Sequence, residues 1–452
     1  MKPSKRKICQ ALALVISSIG ATAAMAAGPL LQSGGSSIVA PMLGAPSLTT
    51  TEMGLFGTSE ATFTYYSVDS GAGENAFLSN APSFFGSGVT GTVDFANSDA
   101  ALTTAQVTSY NNGTLGIASG PLIQIPYIVT PITIPLVNPP AVTSTTTPQT
   151  TPGQTHSISL NDNDLCGIFS GKLRDWNQIT NPETGSAYST TSKPIVVVYQ
   201  ADGSGATELL TRHLAVVCTM ANTAAGVTFV DSLTFANTTA FPWGVPSNFV
   251  SATGSGHVRT TLLALQSSVS APAAVAYLGP NYANTFLAPK SSSASPSLAV
   301  ASLRNTADGI YYAPTAANAT TALGRLFSPP SGAAAANPTQ WIPISGVAYV
   351  RLANPASGYP VSGTSQIILS QCYASPAVSQ AIVDFLTYHY GASENSSANA
   401  SFASIINGNG FDTVPSIFQT AIIDNFLSNA TGNFLDIGNS QICGVLGGYV
   451  GR

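Results

Sequence analysis

"VVVYQADGSGATELLTRHL", residues 196–214, joins a strand pattern to a helix pattern through a short glycine-containing loop. The β-branched run ends at Tyr199, the loop contains Asp202, and the helix pattern begins at Thr207. Such a loop presents backbone N–H groups at the positive end of a helix dipole, which is the usual setting of a small-anion site. This loop contains no Lys or Arg. An anion bound here therefore depends on neutral donors.

Two earlier stretches have the same organisation. "LLQSGGSSIVAPML" (30–43) and "TYYSVDSGAGENAFL" (64–78) each run from an apolar or strand-like start through small residues into a helix pattern. A further loop, "ANSDAAL" (96–102), is acidic. A single loop of this kind is most often an ordinary helix N-cap with a glycine turn. Three of them in one chain, together with the acidic loop, predict a shared ligand site.

Strand-like and helix-like stretches alternate along most of the chain, which predicts an α/β fold. Residues 122–137, "LIQIPYIVTPITIPLV", form an extended run broken by prolines, and they suit a strand that leaves one domain and enters another. Residues 375–391 and 415–427 have helix patterns. The Thr/Pro-rich stretch 138–157 and the Ala/Ser-rich region 288–340 are predicted to be surface insertions, because such compositions rarely form a packed core.

The N-terminus has the features of a secretory signal peptide. Residues 2–7 contain four cations, the stretch from 8 to 19 is mostly apolar, and the small residues up to Ala26 offer a cleavage site. No later stretch reaches about 18 uninterrupted apolar residues, so no membrane span is expected in the mature chain. We therefore expect cleavage after Ala26 and a periplasmic or secreted protein.

Charge and length restrict the partners and the domain count. Removing residues 1–26 removes four cations and no acid, which leaves ten Lys and Arg against 19 Asp and Glu and a formal net charge of −9. This charge argues against nucleic acids and anionic membranes as partners. About 426 mature residues exceed the usual size of one domain, so two lobes are expected.

Four cysteines remain after cleavage: Cys166, Cys218, Cys372 and Cys443. An even number in an exported protein favours two disulfides. Three connectivities are possible, and pairing of nearest neighbours is the default expectation. No CxxC motif is present and the four histidines are scattered, so neither a metal site nor a cofactor is expected.

The order of the loop motifs carries a family resemblance. Gly-Gly-Ser-Ser, Ser-Gly-Ala-Gly, Asn-Ser-Asp-Ala and Ala-Asp-Gly-Ser-Gly follow one another as in the periplasmic phosphate-binding proteins of bacterial ABC transporters. The chain resembles their DING-type branch still more closely, through "LCGIFSGKLRDWNQIT" (165–180), "YPVSGTSQIILSQCYA" (359–374) and the positions of the four cysteines. The DING start itself is replaced here by "LQSGGSS" (31–37).

The resemblance implies a type II periplasmic-binding-protein fold, in which two α/β lobes are joined by two crossover strands with a ligand cleft between them. Lobe 1 would comprise residues 27–130 and 351–452, and lobe 2 residues 131–350 with the two insertions. The crossovers would lie near residues 126–131 and 346–362. The resemblance also supports the cysteine pairs 166–218 and 372–443.

The same resemblance implies that the ligand is monohydrogen phosphate, delivered to an ABC transporter permease by a monomeric binding protein. Asp99 would accept the proton of the ligand and so reject sulfate, which has none to give at neutral pH. Two positions depart from the family pattern: Gln200 replaces an Arg, and Ala206 replaces a Thr that contacts the ligand. The predicted ligand-binding residues are Ser37, Ile38, Ser70, Gly71, Asp99, Gln200, Ser204, Gly205, Ala206 and Thr207.

Other functions remain open. "VDSGAG" (68–73) superficially resembles the nucleophile motif of alkaline phosphatases, but that chemistry needs several metal ligands which the sequence does not group together. No G-x-S-x-G elbow of a serine hydrolase surrounds these serines. The chain is therefore predicted not to be an enzyme. A phosphatase-like or adhesive role, which secreted DING-type proteins have been linked with, is the main alternative, and a purely structural exported protein is the third.

Overall fold

The computed structural model describes residues 28–324, 328–391, 396–444 and 447–452, so the predicted signal peptide lies outside the described residues. The strands are β1 (Leu30–Gly35), β2 (Thr62–Ser67), β3 (Phe95–Ser98), β4 (Leu122–Pro131), β5 (Pro135–Val137), β6 (Ser159–Leu160), β7 (Ile195–Gln200), β8 (Phe249–Ala252), β9 (Ala273–Val275), β10 (Ala299–Val300), β11 (Ser302–Arg304), β12 (Tyr311–Tyr312), β13 (Ser362–Ser370) and β14 (Asp412–Thr413). The α-helices are α1 (Ala40–Leu43), α2 (Glu52–Phe56), α3 (Ser70–Ser79), α4 (Thr104–Asn112), α5 (Thr114–Ser119), α6 (Asp162–Ser170), α7 (Gly205–Val217), α8 (Gly254–Ser267), α9 (Ala316–Leu323), α10 (Gly346–Ala353), α11 (Pro376–His389), α12 (Ser396–Gly408) and α13 (Ser416–Ile422).

The strands form two larger sheets and a small one, and each larger sheet carries helices. The first sheet has the order β14-β4-β13-β3-β1-β2, and the second has the order β10-β5-β9-β7-β8. In the first, β1 is parallel to β2 and β3, whereas β13 is antiparallel to β3 and β4. In the second, β7 is parallel to β8 and β9. The predicted α/β fold with two lobes is confirmed.

The proline-broken run 122–137 connects the two sheets, as its sequence predicts. All ten residues of β4 are buried in the first sheet, and β5 belongs to the second. Pro126 has no N–H to give to the ladder, and it lies where the pairing with β13 shifts by one residue, between Ser365 and Gln366. A bulge of this kind accommodates a proline inside a sheet.

The prediction that residues 288–340 form a surface insertion is wrong. This region supplies β10 to the second sheet and β11 and β12 to the small sheet. Its next helix, α9, packs Ala319 and Leu323 against Val129 of β4, in the first sheet. The predicted boundary of lobe 2 at residue 350 does not anticipate this packing. Small Ala side chains allow a helix to approach a strand closely, and composition alone does not reveal such contacts.

The Thr/Pro-rich stretch 138–157 is also more deeply packed than predicted. Thr147, Thr150 and Ser157 are buried. Thr147 Oγ1 donates to the carbonyl of Ser157 at 2.7 Å, and Thr150 Oγ1 donates to the carbonyl of Val300. Paired hydroxyls make burial of a polar segment acceptable, because buried polar groups are tolerated when they are hydrogen-bonded.

Both predicted disulfides are present. Cys166 of α6 is bonded to Cys218, which follows the last residue of α7, and the pair closes a separation of 52 residues. Cys372, just after β13, is bonded to Cys443 near the C-terminus, across a separation of 71 residues. Two disulfides fit an exported protein.

Candidate functional site

The strand–loop–helix units of both sheets meet at one place. Because β1, β2 and β3 are parallel, the loops that follow them lie at the same edge of the first sheet. The loops after β7 and β8 lie at one edge of the second sheet for the same reason. The backbone N–H of Gly71, at the start of α3, donates to the carbonyl of Gly203 after β7 at 2.8 Å. The two edges are therefore in direct contact.

Asp99 is the centre of one group of contacts, the Asp99 cluster, which consists of Ser36, Ser70, Asp99 and Gly205. The Ser36 hydroxyl reaches both carboxylate oxygens of Asp99, at 2.7 and 2.8 Å. The backbone N–H of Asp99 donates to Ser70 Oγ at 3.1 Å. A Cβ built on Gly205 would lie 2.5 Å from Asp99 Cβ and 2.6 Å from Ser70 Oγ, so α7 begins directly against the carboxylate.

Asp99 is fully enclosed by this cluster, with 1% of its surface exposed. Burial raises the pKa of its carboxyl to about 6, although hydrogen bonds from Ser36, Ser365 and Ser70 lower it. A carboxylate in this setting favours a neighbour that brings a proton. The predicted acceptor role of Asp99 is chemically reasonable at this position.

A second group of contacts, the serine relay, consists of Gln200, Ser255, Ser37 and Asp69. Gln200 Nε2 lies 3.2 Å from Ser255 Oγ, which in turn lies 2.7 Å from Ser37 Oγ. Ser37 Oγ donates to Asp69 Oδ1 at 2.7 Å. The relay connects the ends of β7 and β8 in the second sheet with the loops after β1 and β2 in the first. Ser37 and Asp69 directly neighbour Ser36 and Ser70 of the Asp99 cluster.

Asp69 and Asp202 bring two carboxyl groups together across the contact between the sheets. Burial is the main reason that the pKa of Asp69 lies well above its usual range, and the adjacent Asp202 carboxyl raises it further. Asp202 Oδ1 also accepts the backbone N–H of Gly254, at the start of α8, at 2.9 Å. Asp202 thus connects the loop after β7 with the start of α8.

The other predicted residues lie around the same two groups. The Ile38 N–H donates to Ser36 Oγ at 3.1 Å, and the Ile38 carbonyl accepts from Asn281 Nδ2 at 2.7 Å. Thr207 Oγ1 lies 2.8 Å from the hydroxyl of Tyr277, which accepts the Gln200 N–H at 3.0 Å. The remaining two predicted residues, Ser204 and Ala206, are buried on either side of Gly205.

Sequence reasoning missed three residues that contact the predicted ones. Ser36 directly precedes the predicted ligand-binding residue Ser37 in "LLQSGGSSIVAPML" (30–43). Asp69 belongs to "VDSGAG" (68–73). Ser255 lies in "FVSATGSGH" (249–257), a strand followed by Gly-Ser-Gly and a helix start. This is the same pattern as residues 203–205, so a search for further copies of the motif would have found Ser255.

Two broader features of the described residues bear on function. Among them, no group of three or more His, Cys, Asp or Glu side chains is placed to hold a metal ion. No helix within the described ranges is long and apolar enough to cross a membrane.

Comparison with known proteins shows the family to which this chain belongs. The model of the PBP superfamily domain matches residues 20–393. A crystal structure of a DING protein, 31% identical, superposes with a TM-score of 0.71 over 93% of this chain and 99% of its own. The chain belongs to the DING-type phosphate-binding proteins of this superfamily. A high-affinity periplasmic phosphate-binding protein (PfluDING), solved with phosphate bound, is also 31% identical and superposes on this DING-type chain with a TM-score of 0.70, again over 93% and 99%.

Curated relatives of this DING-type protein have two kinds of name. A phosphate-binding protein from an unknown prokaryotic organism is 33% identical over 381 residues, which are 84% of this chain and 91% of the relative. Alkaline phosphatase L of Pseudomonas aeruginosa is 30% identical over 388 residues, which are 86% and 87% of the two chains.

Proposed function

We propose that this protein captures inorganic phosphate at the contact between its two lobes, where the Asp99 cluster and the serine relay meet. The observation that supports this most strongly is the buried Asp99 carboxylate, held by Ser36 and Ser70 against the first residue of α7. It places a buried proton acceptor among loops that also present serine hydroxyls and backbone N–H groups. A tetrahedral oxyanion that carries a proton matches that combination.

Neutral donors are sufficient for such an anion. The loops that begin α3, α7 and α8 point helix N-termini toward the same region. A helix terminus stabilises an anion by about 0.3–1 kcal/mol when exposed and by up to about 2 kcal/mol when partly buried. Three converging termini together with serine hydroxyls can therefore replace one cationic side chain.

Asp99 gives the proposed site its selectivity. A carboxylate that faces an unprotonated oxygen leaves two buried like charges without a hydrogen between them, which is strongly unfavourable. Phosphate has a proton to donate at neutral pH, whereas sulfate does not. The proposed site therefore accepts phosphate and rejects sulfate.

The wider role follows from the family. We assign lobe 1 to the first sheet and lobe 2 to the second, with a monomeric, exported chain whose signal peptide is cleaved after Ala26. Delivery of phosphate to an ABC transporter permease is the corresponding physiological role. Binding assays with the purified permease and size-exclusion chromatography of the mature protein test these two points.

Calorimetric titration of the purified, phosphate-stripped mature protein tests the proposed function. Phosphate and arsenate are expected to bind saturably with one site per chain, and sulfate is expected to bind far more weakly. Asp308→Ala, which alters an aspartate in an exposed turn, is expected to behave as wild type, whereas Asp99→Ala is expected to lose most of the affinity. Absence of saturable phosphate binding by wild type would overturn the proposal.

Ester hydrolysis is the second candidate, because relatives 30–31% identical are named alkaline phosphatase L. The same titration with a phosphate monoester, followed by measurement of released phosphate in metal-free buffer, separates the two. Turnover that is lost in Asp99→Ala but retained in Asp308→Ala would favour the enzyme.

A further inference from the structure

Gln200 has a buried acceptor that no donor among the described residues satisfies. The side chain is fully buried, and its Oε1 atom has no hydrogen-bond partner. Its Nε2 atom, by contrast, faces Ser255 Oγ. Burying an acceptor without a hydrogen bond costs free energy. An unpaired acceptor in a ligand site therefore indicates that the ligand supplies the hydrogen-bond donor.

The hydrogen-bond directions in the serine relay fix which end of the Gln200 amide is unpaired. Ser37 Oγ donates its hydrogen to Asp69 Oδ1. Ser37 then accepts from Ser255, and Ser255 has only an acceptor position left for Gln200. The amide therefore presents its NH₂ group to Ser255 and its Oε1 to the site. Turning the amide over would set one acceptor against another.

The charged groups around Gln200 are all acidic. Asp69 ends the relay, Asp202 lies against Asp69, and Asp99 lies in the adjoining cluster. None of these three forms an ion pair with a Lys or Arg within the part of the chain that the structure describes. A fourth buried carboxyl, that of Glu74, lies close enough to Asp99 to interact with it. The other titratable groups that face the three aspartates are tyrosines: Tyr65, Tyr277 and Tyr282. Such surroundings favour the ligand form with the smallest negative charge.

Building on the proposed function, we propose that the protein binds phosphate as the doubly protonated monoanion, with Asp99 accepting one ligand proton and Gln200 Oε1 accepting the other. Both protons stay on the ligand as hydrogen-bond donors, so no bond is broken on binding. Gln200 is thus the residue that selects the protonation state of the ligand, and Asp99 is the residue that requires at least one proton.

Two ligands that lose their second proton at different pH values test this proposal with the wild-type protein. Phosphate loses it near neutral pH, and thiophosphate loses it at lower pH. In calorimetric titrations up to pH 9, the dissociation constant should increase by about tenfold per pH unit above that point, because only the competent fraction of the ligand binds. The onset should move to lower pH for thiophosphate by the difference between the two ligand pKa values.

The outcomes distinguish this inference from the proposed function. A phosphate dissociation constant that is constant from pH 6 to pH 9 would overturn the inference while leaving phosphate binding intact. The same onset for both ligands would also overturn it, because the titrating group would then belong to the protein and not to the ligand. No binding of phosphate at any pH would overturn both.

Variants of Gln200 give an independent check. Gln200→Arg places a cationic donor where the acceptor was, so it should bind phosphate at least as tightly as wild type at pH 8.5 and should show little loss of affinity above neutral pH. Gln371→Met changes a buried glutamine that bonds to the carbonyl of Phe434 near the C-terminus, and it should keep the wild-type pH profile. A wild-type profile in Gln200→Arg would count against the assigned role.

Discussion

At the scale of single residues, Asp69 carries a strained backbone at the centre of the site. Its φ of 66° and ψ of 164° fall in a region that is normally left to glycine. Conformations of this kind cost about 1–3 kcal/mol and persist where the surroundings enforce them. Here Ser37 holds the carboxyl group, which reaches Asp202 of the other lobe. The strain thus lies at one of the residues that join the two lobes.

The most direct residue-scale prediction concerns Asp99. Asp99→Asn keeps the size of the side chain and supplies both an acceptor and a donor, so it can face either a protonated or a bare ligand oxygen. We expect phosphate affinity to stay within about a hundredfold of wild type and sulfate to bind measurably, because a mismatch between buried polar groups can be worth about 10⁴–10⁵ in selectivity. Competition of sulfate against phosphate measures this change.

The control for this experiment is Asp308→Asn, which changes an exposed aspartate that accepts from the Ile310 N–H. It should keep the wild-type rejection of sulfate. If Asp99→Asn also keeps it, then Asp99 does not discriminate between the anions, and the loop 96–102 has no direct role at the ligand.

At the scale of elements, the start of α7 requires glycine for close packing. A Cβ at Gly205 would overlap both Asp99 and Ser70, whereas a Cβ at Gly203 would lie 3.5 Å from the nearest atom, the Cα of Gly71. The first distance is far inside van der Waals contact, and the second is an ordinary contact. These two glycines of one loop therefore have different tolerances.

Gly205→Ala should displace α7 from Asp99 and weaken phosphate binding by about a hundredfold, because small displacements of a positioned group can have effects of that size. Gly203→Ala should remain within a few-fold of wild type. Calorimetric titration of both variants, with thermal unfolding to check that each is folded, provides the comparison. Equal effects in the two variants would show that the packing at Gly205 is not required for binding.

The N-terminus of α6 gives a pH-dependent prediction for stability. Asp164 Oδ2 accepts from the Asn161 N–H at 3.0 Å, and burial raises the pKa of this carboxyl to about 7, well above its value of about 3.9 in an unfolded chain. The folded state therefore binds more protons than the unfolded state between about pH 4 and pH 7. Stability from this group is present below that window and falls as the pH rises through it.

Asp164→Asn keeps the acceptor and removes the charge. The free energy of unfolding of the variant should therefore exceed that of wild type by about 2–4 kcal/mol at pH 8 and differ little from it at pH 4. Its neighbour Asp162 should behave in the opposite way. The pKa of Asp162 is lowered, because His213 outweighs the effect of burial, so Asp162→Asn should lose stability relative to wild type above pH 4. Denaturant unfolding of the phosphate-stripped proteins at both pH values measures these changes.

The secondary-structure elements also show how much of the structure can be predicted from the sequence. Strand–loop–helix units such as 196–214 are local patterns, so β7 and α7 were predictable, as were β4 and β5 from the proline-broken run 122–137. The packing of α9 against β4 could not be predicted from the sequence, because it depends on a contact between residues almost 200 positions apart. The serine relay joins four separate loops, and only their three-dimensional arrangement shows that Ser255 and Ser37 are neighbours.

At the scale of the whole molecule, several short polar contacts join the two lobes. The Gly71 N–H reaches Gly203, Ser37 reaches Ser255, and Asn281 reaches the Ile38 carbonyl. Arg212 Nη2 adds a bond to the carbonyl of Ser362 at 2.9 Å, where β13 begins. Apolar packing joins the lobes as well, because the largest buried core is continuous across both sheets and includes Ile125 of β4 and Val197 of β7. Hinged closure around a ligand would bring the polar contacts of the two lobes together.

Small-angle scattering tests whether phosphate closes the lobes. Wild type is expected to become more compact when phosphate is added, because the ligand would bridge donors from both lobes. Gly71→Trp should prevent this, since a side chain at Gly71 begins 3.1 Å from the Gly203 carbonyl oxygen and would separate the lobes. Gly256→Trp is the matched control, because a Cβ there meets no atom within 4 Å. If Gly71→Trp closes on phosphate as wild type does, the contact between residues 71 and 203 does not form part of closure, and the lobes approach each other through the Asn281 and Arg212 contacts instead.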